Sequence, residues 1–283
     1  MTGAGTTPLA YARWELPGPR GRVVLSHGYG EHGGRYAHVA GWLNREGWSV
    51  SALDHRGFGR SGGARGDADG IRGPVEDLTL FLRQERALDP GRPLILLGHS
   101  YGGLLALLAL LWHPETLEAL VLTSPALRLR PLSAPLRVLQ KVCQWVAPHR
   151  PLRLPGDKAR VCSDPESVRR YQEDPLCHRF ISAGFVAAML EGQRELAGFG
   201  AELDRPILLL EADPDAVTDP DGAEALWSAV RPDLLERHRL TGFYHEILHD
   251  LRRTEAERLV CQWLDRLFPA GIPTAAQPSA MCE

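Results

Sequence analysis

The sequence predicts an α/β fold: a mostly parallel central sheet with helices on both faces and one inserted helical cap. Two observations carry this. Short apolar runs alternate with stretches of helical periodicity, the pattern of βαβ units. One stretch of about eighty residues breaks the alternation, and a segment of that length inside a domain has to be an ordered insertion. The length of 283 residues suits one large domain with an insert, or two small domains.

Taken in order, residues 22–26 (RVVLS) read as a strand ending at His27-Gly28. Residues 33–46 read as a helix with Tyr36, Val39, Ala40 and Leu43 on one face. Strands follow at 48–53 and 93–97, separated by an amphipathic helix over 75–88 with Pro74 at its start. Residues 101–112 form a strongly apolar helix closed by His113-Pro114, and 119–123 (ALVLT) a fourth strand. After the insertion come a strand at 206–210 (PILLL), a helix to about 230 opened by Asp219-Pro220, and a strand at 235–240. Thr254 and Glu257 have the spacing of a capping box for a last helix to Phe268. The expected division is a core of 1–125 and 201–268, a cap of 126–200, and a Pro/Ala-rich, disordered tail of 269–283.

Composition narrows the function classes. Hydrophobic residues make up 44% and charged residues 24%, ordinary for a globular protein, and a net charge of −3 gives no pull toward nucleic acid. The five cysteines, Cys143, Cys162, Cys177, Cys261 and Cys282, form no CxxC pair, which suggests neither a disulfide framework nor a zinc knuckle. The N-terminus lacks the pattern of a signal peptide, and the longest apolar stretch, 104–112, is too short to span a bilayer. These features lead to an expectation of a reduced, cytoplasmic setting. Oligomeric state is not written in the sequence.

The chemistry begins at Gly98-His99-Ser100-Tyr101-Gly102, a G-x-S-x-G pentapeptide with an apolar strand before it and an apolar helix after it. That context is the one the motif needs, because the serine must sit on a strained strand-to-helix turn with its hydroxyl exposed. Gly98 and Gly102 avoid collisions across such a turn, and Gly103 lets the helix pack closely. The alternative is a glycine-rich turn without a catalytic role. A hydroxyl is a weak nucleophile and needs a base oriented by an acid, here in the chain order Ser, acid, His. His245, after the last strand, is the expected base. The acid, after the strand at 206–210, is Asp215 or Asp213, and periodicity does not choose between them. The expected oxyanion donors are the backbone N–H groups of Tyr29, in the loop His27-Gly28-Tyr29-Gly30, and of Tyr101, at the helix N-terminus. His27 is read as a structural histidine fixing that loop. Asp54 is read as organising the glycine-rich loop after its strand, and Asp77 as an early-helix acid favoured by the dipole.

These residues resemble the monoacylglycerol lipase and lysophospholipase-like family of α/β-hydrolases, the serine aminopeptidase S33-type hydrolases. The matching blocks are HGYGEHGGRY at 27–36, DHRGFGRS at 54–61, GHSYGG at 98–103 and Tyr244-His245-Glu246. The cap stretches Ser163-Asp164-Pro165-Glu166 and Asp174-Pro175-Leu176 are similar to bacterial members. The resemblance covers about 10–268 and implies the α/β-hydrolase fold, a serine ester hydrolase activity and no cofactor. Matching Asp219 and Gly222 to the family's acid loop implies Asp215 as the acid. Glu211 stands where the family has Gly, and Pro214 is unusual; these departures leave Asp213 as the alternative. Tyr101 stands where Met is common, a change that spares its N–H.

Two readings from other classes compete. His245-Glu246-Ile247-Leu248-His249 is a literal HExxH, which on a helix can hold zinc. The glycine at 242 and the new helix start near 254 leave room only for a short helix there, and no third ligand stands out, so His249 is read as a satisfied surface or helix-end histidine. A non-catalytic binding protein on the same fold is the other reading, set against the presence of all three triad residue types.

The expected substrate is an uncharged acyl ester with a lipid-like chain, monoacylglycerol foremost, with lysophospholipid, thioester and short-chain esters as alternatives. From Ala126 to Arg160 eight basic residues face a single acid, Asp157, with Leu127, Leu129, Leu132, Leu136, Val138, Leu139, Val142, Trp145 and Val146 interleaved. Such a segment suits transient docking at an anionic membrane surface; a solvated cap whose leucines pack on the core is the equal alternative.

Overall fold

The computed structural model describes residues 1–130, 134–153 and 158–269; the expected tail lies outside them from residue 270 onward. Strand β1 (Tyr11–Trp14) was not legible as a strand, and it forms the antiparallel edge of the sheet, pairing along β3. The apolar runs become β2 (Gly21–Ser26), β3 (Trp48–Leu53), β4 (Leu94–His99) and β5 (Ala119–Thr123). Two-residue strands β6 (Leu152–Arg153) and β7 (Phe180–Ile181) pair with each other inside the insertion, where no strand was expected. The sheet resumes with β8 (Ile207–Asp213) and β9 (Leu235–Thr241). Among the described residues the central sheet has seven strands in the order β1-β3-β2-β4-β5-β8-β9, parallel from β3 to β9.

Successive residues of the central strands feed two separate cores, because side chains alternate across a sheet. Val23, Leu25, Ile95, Leu97, Val121, Leu208 and Leu210 meet helices α1 (Ala37–Arg45) and α8 (Arg253–Leu267). Val24, Leu96, Leu120, Leu122 and Leu209 meet α2 (Arg72–Leu88), α3 (Tyr101–Trp112), α6 (Ala183–Leu196) and α7 (Glu224–Ala229). Each fully buried aliphatic side chain contributes about 1.5–3 kcal/mol. Helix α3 is apolar all round because it is covered all round, by the sheet, α2 and α6.

Between β5 and β8 lie α4 (Ala134–Val146), α5 (Pro165–Glu173) and α6. Helix α6 packs its Phe185, Ala188, Met189 and Leu196 into the same core as α3. Among the described residues no helix is long and apolar enough to cross a membrane.

Several helix starts differ from the sequence reading: residues 33–36 form a 3₁₀ turn ahead of α1, and α2 begins at Arg72, two residues before Pro74. Helix α8 begins at Arg253 with Arg252 in the cap position and no side-chain capping bond, so Thr254 lies inside the helix. Asp250 does the local work, its Oδ1 accepting from Arg252 N–H at 2.9 Å and its carbonyl from Arg253 N–H at 3.1 Å. Asp219-Pro220 opens a 3₁₀ turn, Pro220–Ala223, again without a side-chain cap, ahead of α7.

Candidate active site

The parallel strands end together, and ligands of open α/β sheets bind outside those carboxyl ends. Ser26 pairs with Gly98, His99 with Thr123, Thr123 with Leu210 and Asp213 with Thr241. The segments that follow, carrying Tyr29, Ser100, Asp215 and His245, therefore start from one edge.

Ser100 lies between β4 and α3 with φ +50° and ψ −114°, a strained conformation for a residue with a side chain. Its N–H donates to Thr123 O at 3.0 Å, and its carbonyl accepts from Gly103 N–H at 3.0 Å and Ala126 N–H at 2.9 Å. The glycines leave room for this turn. A Cβ on Gly98 would lie 2.7 Å from Gly102 O, and one on Gly102 would strike the Ser26 carbonyl at the end of β2. The space at Gly102 is thus needed by the neighbouring strand, not only by the turn.

His245, Ser100 and Asp215 come together from three elements. His245 Nε2 is 2.9 Å from Ser100 Oγ, and His245 Nδ1 is 2.7 Å from Asp215 Oδ2. All three are buried. Asp215 also accepts from the N–H groups of Val217 (2.7 Å) and Thr218 (2.9 Å) and from Thr218 Oγ1 (2.8 Å). Burial opposes ionisation of this carboxyl, but the charge and bond of His245 and the two N–H donors outweigh it and hold Asp215 well below the usual carboxylate range. An ionised carboxylate only accepts, so Nδ1 carries the proton given to Asp215, and Nε2 offers its lone pair to the serine hydroxyl.

Asp213 is the last residue of β8, and its carbonyl accepts from Gly242 N–H at 2.7 Å. The structure brings Asp215, not Asp213, to His245. Glu211, the departure one turn of pleat earlier, sits in a bond of 2.6 Å to Arg237 on β9, where its carboxyl is pushed up by burial against the pull of that arginine.

Tyr29 lies in the turn after β2, beside the elbow, since a Cβ on Gly28 would lie 2.9 Å from the ring of His99. Tyr101 is the first residue of α3, where backbone N–H groups have no partner one turn back. His27 Nε2 accepts from His55 N–H at 3.0 Å, and Nδ1 therefore donates to Gly28 O at 2.7 Å. It fixes the loop, as its structural reading has it. Asp54 likewise receives Gly33 N–H and Arg60 N–H, each at 2.9 Å.

This constellation can be set beside known proteins. The family described as serine aminopeptidase, S33, matches residues 17–252. The chain belongs to that family of α/β-hydrolases. Within it, a monoacylglycerol lipase of Mycolicibacterium smegmatis is 33% identical over 93% of this chain and 95% of its own length. A monoglyceride lipase of Homo sapiens is 32% identical over 83% of this chain and 78% of its own. Among solved structures, Paleococcus ferrophilus monoacylglycerol lipase superposes with a TM-score of 0.78 at 31% identity, covering 90% of this chain and 98% of that one. A Saccharomyces cerevisiae monoglyceride lipase with a substrate analogue gives 0.84 at 20% identity, covering 93% of each chain, a likeness of fold.

Several groups of this family member were not read from the sequence. His99, the variable residue before the serine, is fully buried with its Nδ1 at 3.0 Å from Thr123 Oγ1 and its ring centroid 5.1 Å from that of His245. Burial, then the neighbouring His245, lowers its pKa to about 4, so it sets no positive charge beside His245 at neutral pH. Arg130, counted among the cap's basic residues, instead bonds the Asp215 carbonyl through Nε at 2.6 Å, while its N–H donates to Val217 O. Arg130 belongs to no motif and His99 fills an open position of one, so only proximity in the fold reveals what they touch. Asp77 is no dipole-favoured terminal acid. It is fully buried past the first turn of α2, held by Arg56 (2.5 and 2.8 Å) and Ala4 N–H.

The HExxH does not form a zinc-binding helix. Ile247–His249 is a short 3₁₀ turn, and both ring nitrogens of His245 face Ser100 and Asp215. His249 is not a surface histidine: its ring is buried against Tyr36 and His38, and its Nε2 has no partner among the described residues. The donor atoms of His32, Asp174 and Cys177 lie within 4.8 Å of one another. Gly34 N–H donates to His32 Nδ1, so Nε2 carries the proton given to Asp174 at 2.8 Å, which makes the pair a hydrogen bond and leaves no lone pair for a metal. A cavity of about 320 Å³ lies beside these residues, with His32, His38, His249, Arg170 and Arg253 in its lining; neither Ser100 nor His245 lines it.

Proposed function

We propose that this protein hydrolyses carboxylic esters of lipid-like substrates, monoacylglycerols foremost, through an acyl-enzyme on Ser100. The observation that carries the reading is the continuous chain Ser100–His245–Asp215, at 2.9 and 2.7 Å. The names of the relatives, lipases of monoacylglycerols, support the substrate class.

His245 Nε2 takes the hydroxyl proton as Ser100 Oγ attacks the ester carbonyl, and Asp215 stabilises the imidazolium that forms. The N–H groups of Tyr29 and Tyr101 receive the oxyanion. His245 then protonates the leaving alcohol, and the same base activates water to release the acid. Each step uses groups of this chain, and the proton returns to Ser100 at the end.

Residues 126–200 act in this reading as a cap, and α4 as its lipid-facing part. Val138, Val142, Trp145 and Val146 stand exposed, Trp145 at 89%, next to exposed Lys141. An apolar row with a basic neighbour suits transient contact with an anionic membrane. The side chains of Leu132, Leu136 and Leu139 lie outside the described residues. The free thiols of Cys143 and Cys261 support a reducing, cytoplasmic setting.

The test is a chain-length series of acyl glycerols and p-nitrophenyl esters, with wild type and Ser100→Ala. Turnover rising with acyl length, and absent in the variant, is expected. Turnover of very short esters alone would overturn the lipid assignment, and full activity of Ser100→Ala the mechanism.

A further inference from the structure

The proposed mechanism needs two loops in register. The oxyanion loop follows β2 and the base follows β9, and β4, β5 and β8 separate those strands. A misplacement of about 1 Å between a catalytic group and its target can cost on the order of 10²-fold in rate. Hydrogen bonding along the sheet passes through three intervening strands, so a direct link has value.

One side chain supplies such a link. Glu31 is buried, and its Oε1 accepts from Gly28 N–H and from Tyr36 O–H, each at 2.7 Å. Gly28 immediately precedes Tyr29, so this carboxylate sets the backbone that carries the oxyanion donor. Glu31 Oε2 accepts from Arg35 Nη1. The other arm, Arg35 Nη2, reaches Glu246 Oε2 at 3.3 Å. Glu246 immediately follows His245, and its own N–H is fixed to Val161 O at 2.8 Å. The guanidinium also lies over the ring of Tyr171 on α5, 5.1 Å from its centroid. Tyr171 O–H donates to His178 O, and His178 N–H donates to Gly30 O at 2.9 Å, back on the oxyanion loop.

We propose that Arg35 is a positioning residue for the reaction: it joins the loop carrying the oxyanion donor, through Glu31, to the loop carrying the base, through Glu246. The inference rests on the serine-hydrolase reading above. The Arg35 side chain is 8% exposed, and buried charges persist only when paired. Burial works against its charge, but Glu246 and Glu31 outweigh that and keep it cationic. A planar fork with two arms can serve both carboxylates at once; a lysine ammonium is a point charge and cannot reproduce that geometry.

Arg35→Lys is compared with wild type on a soluble p-nitrophenyl ester. The expected result is a kcat lower by on the order of 10²-fold with KM little changed. Affinity for an alkyl boronic acid, which mimics the tetrahedral intermediate, falls in parallel. Arg22→Lys is the control for general damage. It disturbs a buried cluster with Glu15 and Asp89 at the opposite end of β2 and leaves kcat unchanged at a matched loss of Tm. Glu246→Gln gives about a tenfold loss of kcat; it carries the test alone if Arg35→Lys fails to fold, and where both fold the combined variant loses no more than Arg35→Lys. Retained kcat in either folded variant, independent additive losses, or an equal loss in the Arg22 control overturns the proposal. Fluorophosphonate labelling of wild type at Ser100 separates the outcomes. With labelling present, retained kcat sinks only the role of Arg35; without it, the underlying hydrolase reading fails.

Discussion

The loops at the strand ends and helix α4 are built on opposite terms. Around Ser100 the acid and the nucleophile are buried and bonded: Asp215 takes two N–H donors, a hydroxyl and an imidazole, and Ser100 is tied through both its N–H and its carbonyl. Helix α4 turns Val142, Trp145 and Val146 to solvent. A satisfied polar site in a low-dielectric setting is fixed in advance of the reaction, which is what charge stabilisation requires. An exposed apolar row gains nothing until something covers it. The proposed function places chemistry in the first region and substrate presentation in the second, and the contrast can be attacked at graded cost.

The largest effect is expected at the nucleophile. Ser100→Ala should lower kcat by on the order of 10⁶-fold with an unchanged melting curve, and steady-state kinetics on any ester checks it. Asp215→Asn should cost about 10⁴-fold in kcat, while Asp213→Asn stays within a few fold; reversal of that order would move the acid to Asp213. Next comes α6, which belongs to the same insertion as α4 but to the buried side of the comparison. Phe185 is 1% exposed, with ring centroids 5.0 Å from Tyr29 and 4.8 Å from Tyr101. Phe185→Ala should lose about 3–5 kcal/mol of stability, measured by denaturant unfolding. The smallest change belongs to α4. Trp145→Ala should alter stability by no more than about 0.5 kcal/mol and leave soluble-ester turnover intact. It should slow hydrolysis of monoacylglycerol presented in anionic vesicles. Equal loss on soluble and vesicle-borne substrate would erase the distinction between the two regions.

The elements most legible in the sequence were those richest in apolar residues. Strands β3 and β5 and helix α3 have the expected ends, since short segments dominated by apolar residues are driven inside whatever surrounds them. Strand β1 was missed because it is a half-exposed edge, where Tyr11, Arg13 and Trp14 carry no buried-run signal. The capping box at Thr254 failed for a related reason. A cap is chosen among nearby polar groups, and Asp250 reaches the helix start first.

Much of the site was also written in local sequence. The turn geometry at Ser100 follows from the glycines around it, and the family blocks at 27–36 and 54–61 name residues that hold their own loops, Glu31, His27 and Asp54 among them. Sequence alone therefore determined the fold class, the nucleophile and base as candidates, and the loop beside the elbow, because each is specified by neighbours a few residues away. The tertiary structure decided which aspartate meets His245, that Arg130 holds the acid loop, that His249 is buried, and that Arg35 spans Glu31 and Glu246. The deciding contacts, His245 with Asp215, Arg130 with Asp215 and Arg35 with Glu246, join residues 30, 85 and 211 positions apart, which no local propensity encodes.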